Sequence, residues 1–261
     1  MKKSLQLLLL LMLVPNNVLA YSDYIIAGGK NIGINIKTKG VLVVGTNVVD
    51  NMLISDIQVG DTIIKVDGNN ILDSSEFVES IQTDKCSNKK IQIKRNNKIK
   101  NITLKLKKEN NICKTGLFIK DSITGIGTLT YIDPKSKLFG ALGHEIIEAS
   151  TGKIVETNNG SIFESNVVDI DRSESGNPGS KQARNNAQNI YGEIFENTKN
   201  GIFGNYFNEV DNNKLYKVAK PNEIKTGNAK ILTVIENNQV AEYNINITKV
   251  INDNSEKKHT I

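Results

Sequence analysis

The sequence predicts a mainly β protein made of two successive domains. Short runs of alternating apolar and polar residues recur along the chain, with turn residues between them, as in small barrels and sandwiches. A helix start signal stands at Asp73-Ser74-Ser75-Glu76. The polar stretch 107–115 has no apolar period. It therefore predicts a boundary between a small domain at 25–107 and a second domain at 116–261.

The first 20 residues have the layout of a secretory signal. A positive pair, Lys2-Lys3, precedes an apolar run from Leu5 to Val14, and Val18-Leu19-Ala20 offers small residues for cleavage. The apolar run is about half of the roughly 20 residues that a membrane-spanning helix needs. We therefore expect residues 1–20 to be a signal peptide and the chain to be exported, with an uncleaved anchor as the alternative.

Composition excludes two classes of protein. With 38% hydrophobic and 23% charged residues, the chain has too much apolar sequence for global disorder. Although the net charge is +5, no basic stripe with interleaved aromatic residues occurs, so we expect no nucleic-acid partner. Cys86 and Cys113 are the two cysteines, and export would permit a disulfide between them. Sequence does not supply the required Cβ geometry, so their pairing stays open.

The first domain combines four predicted strands, tight turns and one helix. Gly60-Asp61 and Asp67-Gly68 are turn signals on either side of one strand, and the helix has its N-cap region at Asp73. Phe77, Val78 and Ile81 have the spacing of a helix face that packs on a core. The predicted strands are Gly40–Val44, Thr62–Val66, Ile91–Lys94 and Ile99–Leu106, after a short alternating segment at Gly33–Ile36.

This order of strands, turn and helix resembles a PDZ domain. The resemblance implies a groove in which a glycine-led loop and strand bind a peptide as an added strand. It places the groove at Gly33, Ile34, Asn35 and Ile36, with Val78 and Ile81 on the opposing helix. In the alternative interpretation, Ile34 and Ile36 are ordinary core residues of a strand.

The second domain shows short strands and a histidine directly after a hairpin. Asp133-Pro134 is a strong turn signal, so Thr128 to Leu142 should form a hairpin. His144 follows, among Gly140, Ala141 and Gly143, whose small side chains let a peptide approach the backbone. The spacing favours an all-β barrel or sandwich. Its predicted strands are Leu117–Lys120, Thr128–Ile132, Leu138–Leu142, Ile190–Phe195, Lys230–Ile235 and Val240–Ile247.

His144 is the candidate catalytic residue, because a neutral imidazole can take a proton from a hydroxyl and return it to a leaving amine. The alternative is that it only ends a strand. His144-Glu145-Ile146-Ile147-Glu148 also approaches a zinc-protease motif, but that motif needs a second histidine on one helical face. We therefore expect no metal site and no cofactor. His259, the other histidine, lies in a charged tail.

Several long blocks resemble the SpoIVB peptidase family (stage IV sporulation protein B). The first runs from Phe118 to Pro134, and the second is Phe139-Gly-Ala-Leu-Gly-His-Glu-Ile146. Later similar blocks are Ser175-Gly-Asn-Pro-Gly179, Gly192–Gly204 and Gly227–Ile231. The order of signal, PDZ-like domain and peptidase domain is also similar. The resemblance implies a trypsin-like β-barrel serine endopeptidase in which His144 is the catalytic histidine.

The chain departs from that family in one respect. The family's serine lies in a Gly-x-Ser-Gly-Ser-Pro-like block, with its aspartate shortly before, and both are expected beyond Ile261. The serines of the second domain lack this context; they include Ser161, Ser165, Ser173, Ser175, Ser180 and Ser255. We therefore expect a peptidase domain that is incomplete at its C-terminus, with open sheet edges and no activity in this chain as written. A non-catalytic exported PDZ module that binds peptides is the alternative function.

The resemblance also implies partners and a location. The expected substrate is a protein or peptide, in the family a membrane-bound regulator whose cleavage releases an intramembrane protease that matures a late sigma factor. The expected location is the space between the forespore and mother-cell membranes, close to a membrane. The PDZ-like domain could also mediate self-association.

Overall fold

The computed structural model describes residues 22–47, 56–172, 174–211, 214–235 and 238–250. The predicted signal peptide at 1–20 lies outside these residues. In the described part of the chain, no helix combines the length and apolar character needed to span a membrane.

The predicted mainly β class is confirmed: the described residues form 18 strands, one α-helix and a 3-10 turn at Pro221–Glu223. The elements in chain order are β1 (Tyr24–Ala27), β2 (Asn31–Thr46), β3 (Thr62–Val66), β4 (Asn69–Asn70), α1 (Ser74–Ile81), β5 (Lys89–Arg95), β6 (Lys98–Leu104), β7 (Lys107–Glu109), β8 (Ile112–Lys114), β9 (Leu117–Ile132), β10 (Leu138–Ala141), β11 (Ile147–Glu148), β12 (Lys153–Ile154), β13 (Thr157–Asp171), β14 (Ser180–Thr198), β15 (Gly201–Tyr206), β16 (Tyr216–Lys217), β17 (Gly227–Val234) and β18 (Val240–Ile247).

Six strands close into an antiparallel barrel. Their order around the ring is β9, β10, β15, β14, β13 and β2, and β2 pairs again with β9. The barrel removes most unpaired edges, because each of these strands has neighbours on both sides over part of its length. The open sheet edges expected at a missing C-terminus are therefore confined to parts of these strands, since β2, from the N-terminal part, completes the ring.

Alternation along β2 fills the barrel interior. Ile32, Ile34 and Ile36 are 0–2% exposed and belong to one core, because alternate residues of a strand point to the same face. Gly33 lies on the other face against the ring of Phe163, where a Cβ would come within 2.0 Å of a ring carbon. The buried members of this barrel core are Ile32, Ile34, Ile36, Leu129, Ile132, Phe139, Ala141, Val155, Ile162, Tyr191, Ile194 and Ile202.

A second core lies beside the barrel and uses the far halves of the same two long strands. Val41 and Val43 of β2 are fully buried there, and Leu117 and Ile119 of β9 pack against the cluster. The other buried members are Ile57, Ile63, Val66, Ile71, Phe77, Ile81, Ile91, Ile93 and Leu104. This module contains the predicted turn, helix and hairpin, and its PDZ-like character stays a prediction.

The domain boundary differs from the expectation. Residues 31–38 pack in the barrel core although they were assigned to the first domain, so the small module is inserted between barrel strands β2 and β9. A resemblance read in chain order could not reveal this, because β2 meets β9 only in three dimensions. The segment at 107–115 is likewise not an unstructured linker. It forms the hairpin β7–β8, in which Asn110 and Asn111 take positive φ at the turn.

Cys86 and Cys113, whose pairing the sequence left open, form a disulfide with a Cα–Cα distance of 5.4 Å. Cys86 follows α1, and Cys113 lies in β8 just before β9 begins. Gln82 reinforces this connection, because its side-chain amide donates to the Cys113 carbonyl and accepts from the Cys113 amide, both at 2.9 Å. The segment that follows α1 is therefore linked to β8, just before β9 begins.

The beginning of α1 is fastened to β9 itself. Asp73 is the N-cap, as predicted, and accepts a hydrogen bond from the Glu76 amide. The Asp121 carboxylate of β9 accepts from the Ser74 amide at 2.8 Å. This backbone hydrogen bond is the largest influence on Asp121 and holds the pKa of its carboxyl below the ordinary 3.8.

The disulfide should contribute measurably to the free energy of unfolding. It closes a loop with a sequence separation of 27 residues. Replacing both cysteines (Cys86→Ala with Cys113→Ala) should lower the free energy of unfolding by about 3 kcal/mol, since the unfolded chain regains its freedom. Urea unfolding measures this change. Reductant should destabilise the natural chain and leave the double variant unaffected, whereas an equal midpoint for both chains would contradict the expectation.

The depressed pKa of Asp121 predicts a pH dependence with a defined sign. Its folded pKa lies below its unfolded pKa, so the ionised carboxylate stabilises the fold above about pH 4, and this contribution disappears as pH falls through the folded value. Asp121→Asn should therefore be less stable at neutral pH, with a difference that closes in acid. Urea titrations from neutral pH to about pH 2 test this. A difference that stays constant or grows in acid would contradict it.

Candidate active site

The hairpin β9–β10 places the candidate histidine. Ile132 pairs with Phe139, and the Asp133 carboxylate accepts hydrogen bonds from the amides of Lys135 and Ser136 in the connecting turn. The predicted hairpin from Thr128 to Leu142 is thereby confirmed. β10 ends at Ala141, three residues before His144.

A sharp change of direction follows β10. Leu142 and Gly143 have φ of 71° and 81°, a region that a leucine rarely adopts. Gly201 of β15 lies against this turn, and a Cβ there would come within 2.4 Å of the Ala141 carbonyl oxygen. The close approach of backbone at Gly201 therefore fixes where the chain leaves the barrel wall.

His144 is exposed, and its ring has a defined orientation. Its Nδ1 lies 2.9 Å from the Glu145 carbonyl oxygen. Because a carbonyl oxygen can only accept, Nδ1 carries the proton of this hydrogen bond. In the neutral ring, Nε2 is then the basic nitrogen. A general base needs this tautomer, in which the unprotonated nitrogen can face the hydroxyl whose proton it takes.

His144 borders an open cleft of about 470 Å³. The cleft lies where β10 has ended and β9 continues without it. Its walls are largely apolar, with the histidine and Glu145 as polar groups. The lining residues are Ile34, Ile123, Gly125, Ile126, Leu142, His144, Glu145, Ile146 and Ile147.

Asn197 of β14 holds the segment that follows His144. Its side-chain oxygen accepts from the Ile146 amide at 2.9 Å, and its NH₂ group donates to the carbonyls of Ile146 at 2.9 Å and Val155 at 3.0 Å. Asn197 is not among the predicted site residues, because an asparagine in an Asn-rich chain carries no local signal. Its position in one of the family-like blocks, 192–204, was the available hint.

The segment after His144 does not fit the zinc motif. Gly143 to Ile146 form no helix. Glu148 is the last residue of β11, and a tight turn follows it. Burial would raise the pKa of the Glu148 carboxyl, but hydrogen bonds from Ser150, Lys120 and the Thr151 amide outweigh it and hold the pKa below its usual value. In the described residues, no group of three or more histidine, cysteine or acidic side chains could hold a metal ion.

The peptide groove expected at Gly33, Ile34, Asn35 and Ile36 is wrong. These residues pair with β13 on one edge and with β9 on the other, so neither edge can accept an added strand. Ile34 and Ile36 are core residues, as the alternative interpretation held. The error has a physical cause: Val78 and Ile81 do lie on a helix beside a strand, but that strand is β9, which follows the helix in the chain.

Two of the serines considered in the sequence lie in the barrel wall. Ser165 is buried, and its hydroxyl accepts a hydrogen bond from Asn31 at 3.0 Å. Ser161 stands opposite Asn35 in the β13–β2 pairing. Both serines lie in paired strands of the barrel. Neither has the sequence context expected of the nucleophile.

A comparison with protein families gives one match. The profile described as SpoIVB peptidase S55 matches residues 111–261, which covers β9, β10 and the His144 segment. No curated protein and no solved structure matches the chain significantly.

Asn197 provides a test of how the segment is held. Asn197→Ala removes three hydrogen bonds, so the free energy of unfolding should fall by about 2–3 kcal/mol. Amides at 145–147 should exchange with solvent faster than in the natural chain. Asn205→Ala is the matched control, because its side chain bonds only an exposed glutamate on the barrel surface. Equal stability and exchange for Asn197→Ala and the natural chain would contradict the role.

Proposed function

The chain belongs to the SpoIVB peptidase S55 family, and we propose that His144 is the general base of a serine-type hydrolysis of peptide bonds. One observation carries this assignment. The Nδ1 proton is donated to the Glu145 carbonyl, so in the neutral ring Nε2 is the nitrogen that can accept a proton, and the residue borders an open cleft. The family model also spans this segment, since it matches residues 111–261.

The proposed chemistry follows the serine-peptidase scheme. A serine hydroxyl attacks the scissile carbonyl, its proton passes to Nε2, and the imidazolium then returns that proton to the leaving amine. The Glu145 carbonyl steadies the ring and accepts the Nδ1 proton throughout, which favours the imidazolium that forms. Water repeats the cycle on the acyl-enzyme, again with His144 as base.

We further propose that the substrate is a membrane-bound regulatory protein, as the family resemblance implies. Cleavage would release an intramembrane protease that matures a late sigma factor. The predicted export signal supports a location in the space between the forespore and mother-cell membranes. The apolar walls formed by Ile123 and Ile126 favour an apolar side chain near the bond that is cut.

A peptide-binding role without hydrolysis is the second candidate. It is favoured by the exposed Val78 on α1, a helix that lies beside the start of β9. Hydrolysis separates the two candidates: the first requires it, and the second requires saturable binding with the peptide recovered intact. The full chain is the object of this test, because Leu117 and Ile119 of β9 complete the core around α1.

The direct test of the first candidate is His144→Ala. In a protein that also carries the family's serine block, cleavage of an unfolded protein substrate should fall at least about a thousandfold, because loss of a catalytic base removes proton transfer at both steps. The thermal unfolding midpoint should be unchanged, since His144 is exposed. His259→Ala changes the chain's other histidine and should leave cleavage as it was. Undiminished cleavage by His144→Ala would overturn the assignment.

A further inference from the structure

The positive charge of this chain is concentrated in one segment. Residues 85–114 contain eleven lysine and arginine residues and one acidic residue, Glu109. The whole chain has a net charge of +5, so the remaining residues together are net negative. We call residues 85–114 the basic segment. Such a concentration creates a local positive potential that attracts a negatively charged partner.

The fold keeps the parts of the basic segment next to one another. The segment contains β5, β6, β7 and β8; β5 pairs with the whole of β6, which is the last strand of its sheet. β7 and β8 form the next hairpin, and the Cys86–Cys113 disulfide joins it to the loop before β5. The Lys108 ammonium also donates to the Asp84 carbonyl of that loop at 3.0 Å. The charges of the basic segment are therefore neighbours on one part of the small module.

Part of this charge is already compensated inside the protein, and part is not. The basic side chains that form ion pairs with acidic residues include Lys89, Lys94, Arg95 and Lys114. A second group is exposed, and no described acidic residue forms an ion pair with any of its members, which are Lys85, Lys90, Lys98, Lys100 and Lys105. An anionic partner would therefore meet five lysines that break no ion pair of the described structure to bind it.

The type of basic residue favours a lipid surface over a protein partner. Ten of the eleven basic residues in the segment are lysines, and one is an arginine. Protein–protein interfaces are depleted in lysine and enriched in arginine, because a guanidinium makes paired, directional hydrogen bonds whereas an ammonium acts as a point charge. A membrane with anionic phospholipids presents diffuse negative charge, and a cluster of separate lysines complements it.

The uncharged residues of the basic segment support the same partner. The segment has no aromatic residue, so it lacks the side chains on which nucleic-acid bases stack. Two of its isoleucines are exposed: Ile99 in β6 by 62% and Ile112 in β8 by 53%. Ile99 stands opposite Lys94 in the β5–β6 pairing. Apolar side chains among lysines can enter the headgroup region of a bilayer while the charges stay at its surface.

We propose that the basic segment binds the surface of a membrane that contains anionic phospholipids. The exposed lysines would be attracted to the lipid phosphates, and Ile99 and Ile112 would enter the headgroup region. The residues that line the His144 cleft all lie outside the basic segment, so binding through the segment does not use the cleft. Export, which the N-terminal sequence predicts, would bring the chain to such a surface.

A purely structural role would explain only some of these lysines. Lysines on the outer strand of a sheet prevent that strand from pairing with another sheet, and Lys98 and Lys100 occupy such positions in β6. Lys85, Lys90 and Lys105 lie outside β6, where no edge needs this protection. Membrane binding accounts for both groups, and it does not depend on the proposed hydrolysis.

The test uses vesicles that contain phosphatidylglycerol and phosphatidylcholine in equal parts, with vesicles of phosphatidylcholine alone as the reference. Binding of the full chain is measured by co-sedimentation. The chain should bind the anionic vesicles at least about a hundredfold more tightly than the neutral ones, because several lysines contribute together. The difference should shrink as salt is raised to about 0.5 M, where exposed charges are screened over a few ångströms. Equal affinity for the two kinds of vesicle would overturn the proposal.

The matching change in the protein removes four exposed charges of the basic segment. The glutamine variant combines Lys90→Gln, Lys98→Gln, Lys100→Gln and Lys105→Gln. Its affinity for the anionic vesicles should fall at least about a hundredfold, because each lysine near the membrane surface contributes about fivefold. Its thermal unfolding midpoint should be unchanged, since all four side chains are exposed. Arginine at the same four positions keeps the charge and should keep the binding.

A second variant separates the basic segment from the net charge of the chain. It removes four exposed lysines that lie outside the segment, through Lys135→Gln, Lys220→Gln, Lys225→Gln and Lys249→Gln. Its net charge equals that of the glutamine variant, but its affinity for the anionic vesicles should stay within about threefold of the natural value, because those lysines lie outside the surface that binds. All variants share residues 1–20, so the contribution of that apolar stretch cancels in the comparison.

Two further results would overturn the proposal. One is equal vesicle binding by the glutamine variant and the natural chain, or an equal loss in both lysine variants. The other is binding to soluble polyglutamate without binding to anionic vesicles, which would assign the basic segment to an acidic protein. Failure of the catalytic assignment has a different signature. In that case His144→Ala would still cleave, while vesicle binding and its loss in the glutamine variant would stay as expected.

Discussion

The antiparallel pairing of β2 with β9 is the constraint on which the rest of the structure depends. The two strands run together from Asn31–Thr128 to Thr46–Leu117. At one end their side chains enter the barrel core, and at the other end they enter the core around α1. Because one ladder is shared, neither core can be built without the strands of the other. The irregular register between Lys37 and Leu42 marks the passage between them.

This shared ladder also determines where the candidate site can lie. β9 is longer than β10, so the barrel wall opens where β10 stops at Ala141. The chain turns there through Leu142 and Gly143 and delivers His144 to the opening. Asn197 then secures the following residues from the neighbouring strand β14. The positions of His144 and of the cleft are thus consequences of two strand lengths.

Local sequence signals predicted the local structure well. Asp133-Pro134 gave the β9–β10 hairpin, and Asp73 gave the cap of α1. These features depend on residues adjacent in the chain, where turn and capping chemistry acts. His144 was chosen as the candidate because a family motif surrounds it, and the family match over 111–261 covers that motif.

Local sequence signals could not predict the contacts between distant parts of the chain. The alternation of Ile32, Ile34 and Ile36 indicates a buried strand but not which partners bury it, and the groove was therefore placed on a strand that is paired on both edges. The Cys86–Cys113 bond depended on a Cβ distance that folding sets. Asn197 holds the site through an amide that looks like any other in the sequence. In each case a long-range pairing, and not a local preference, decided the outcome.

The central claim is that β9 has one edge paired with β2 and one edge free beside the candidate site. Amide hydrogen exchange measured by NMR along residues 118–127 tests it most directly. Successive amides of a strand point to opposite edges, so we predict alternation: amides directed toward β2 exchange slowly and those on the free edge exchange fast. Uniform protection of all these amides in the unbound chain would show that the edge is already covered and would contradict the account.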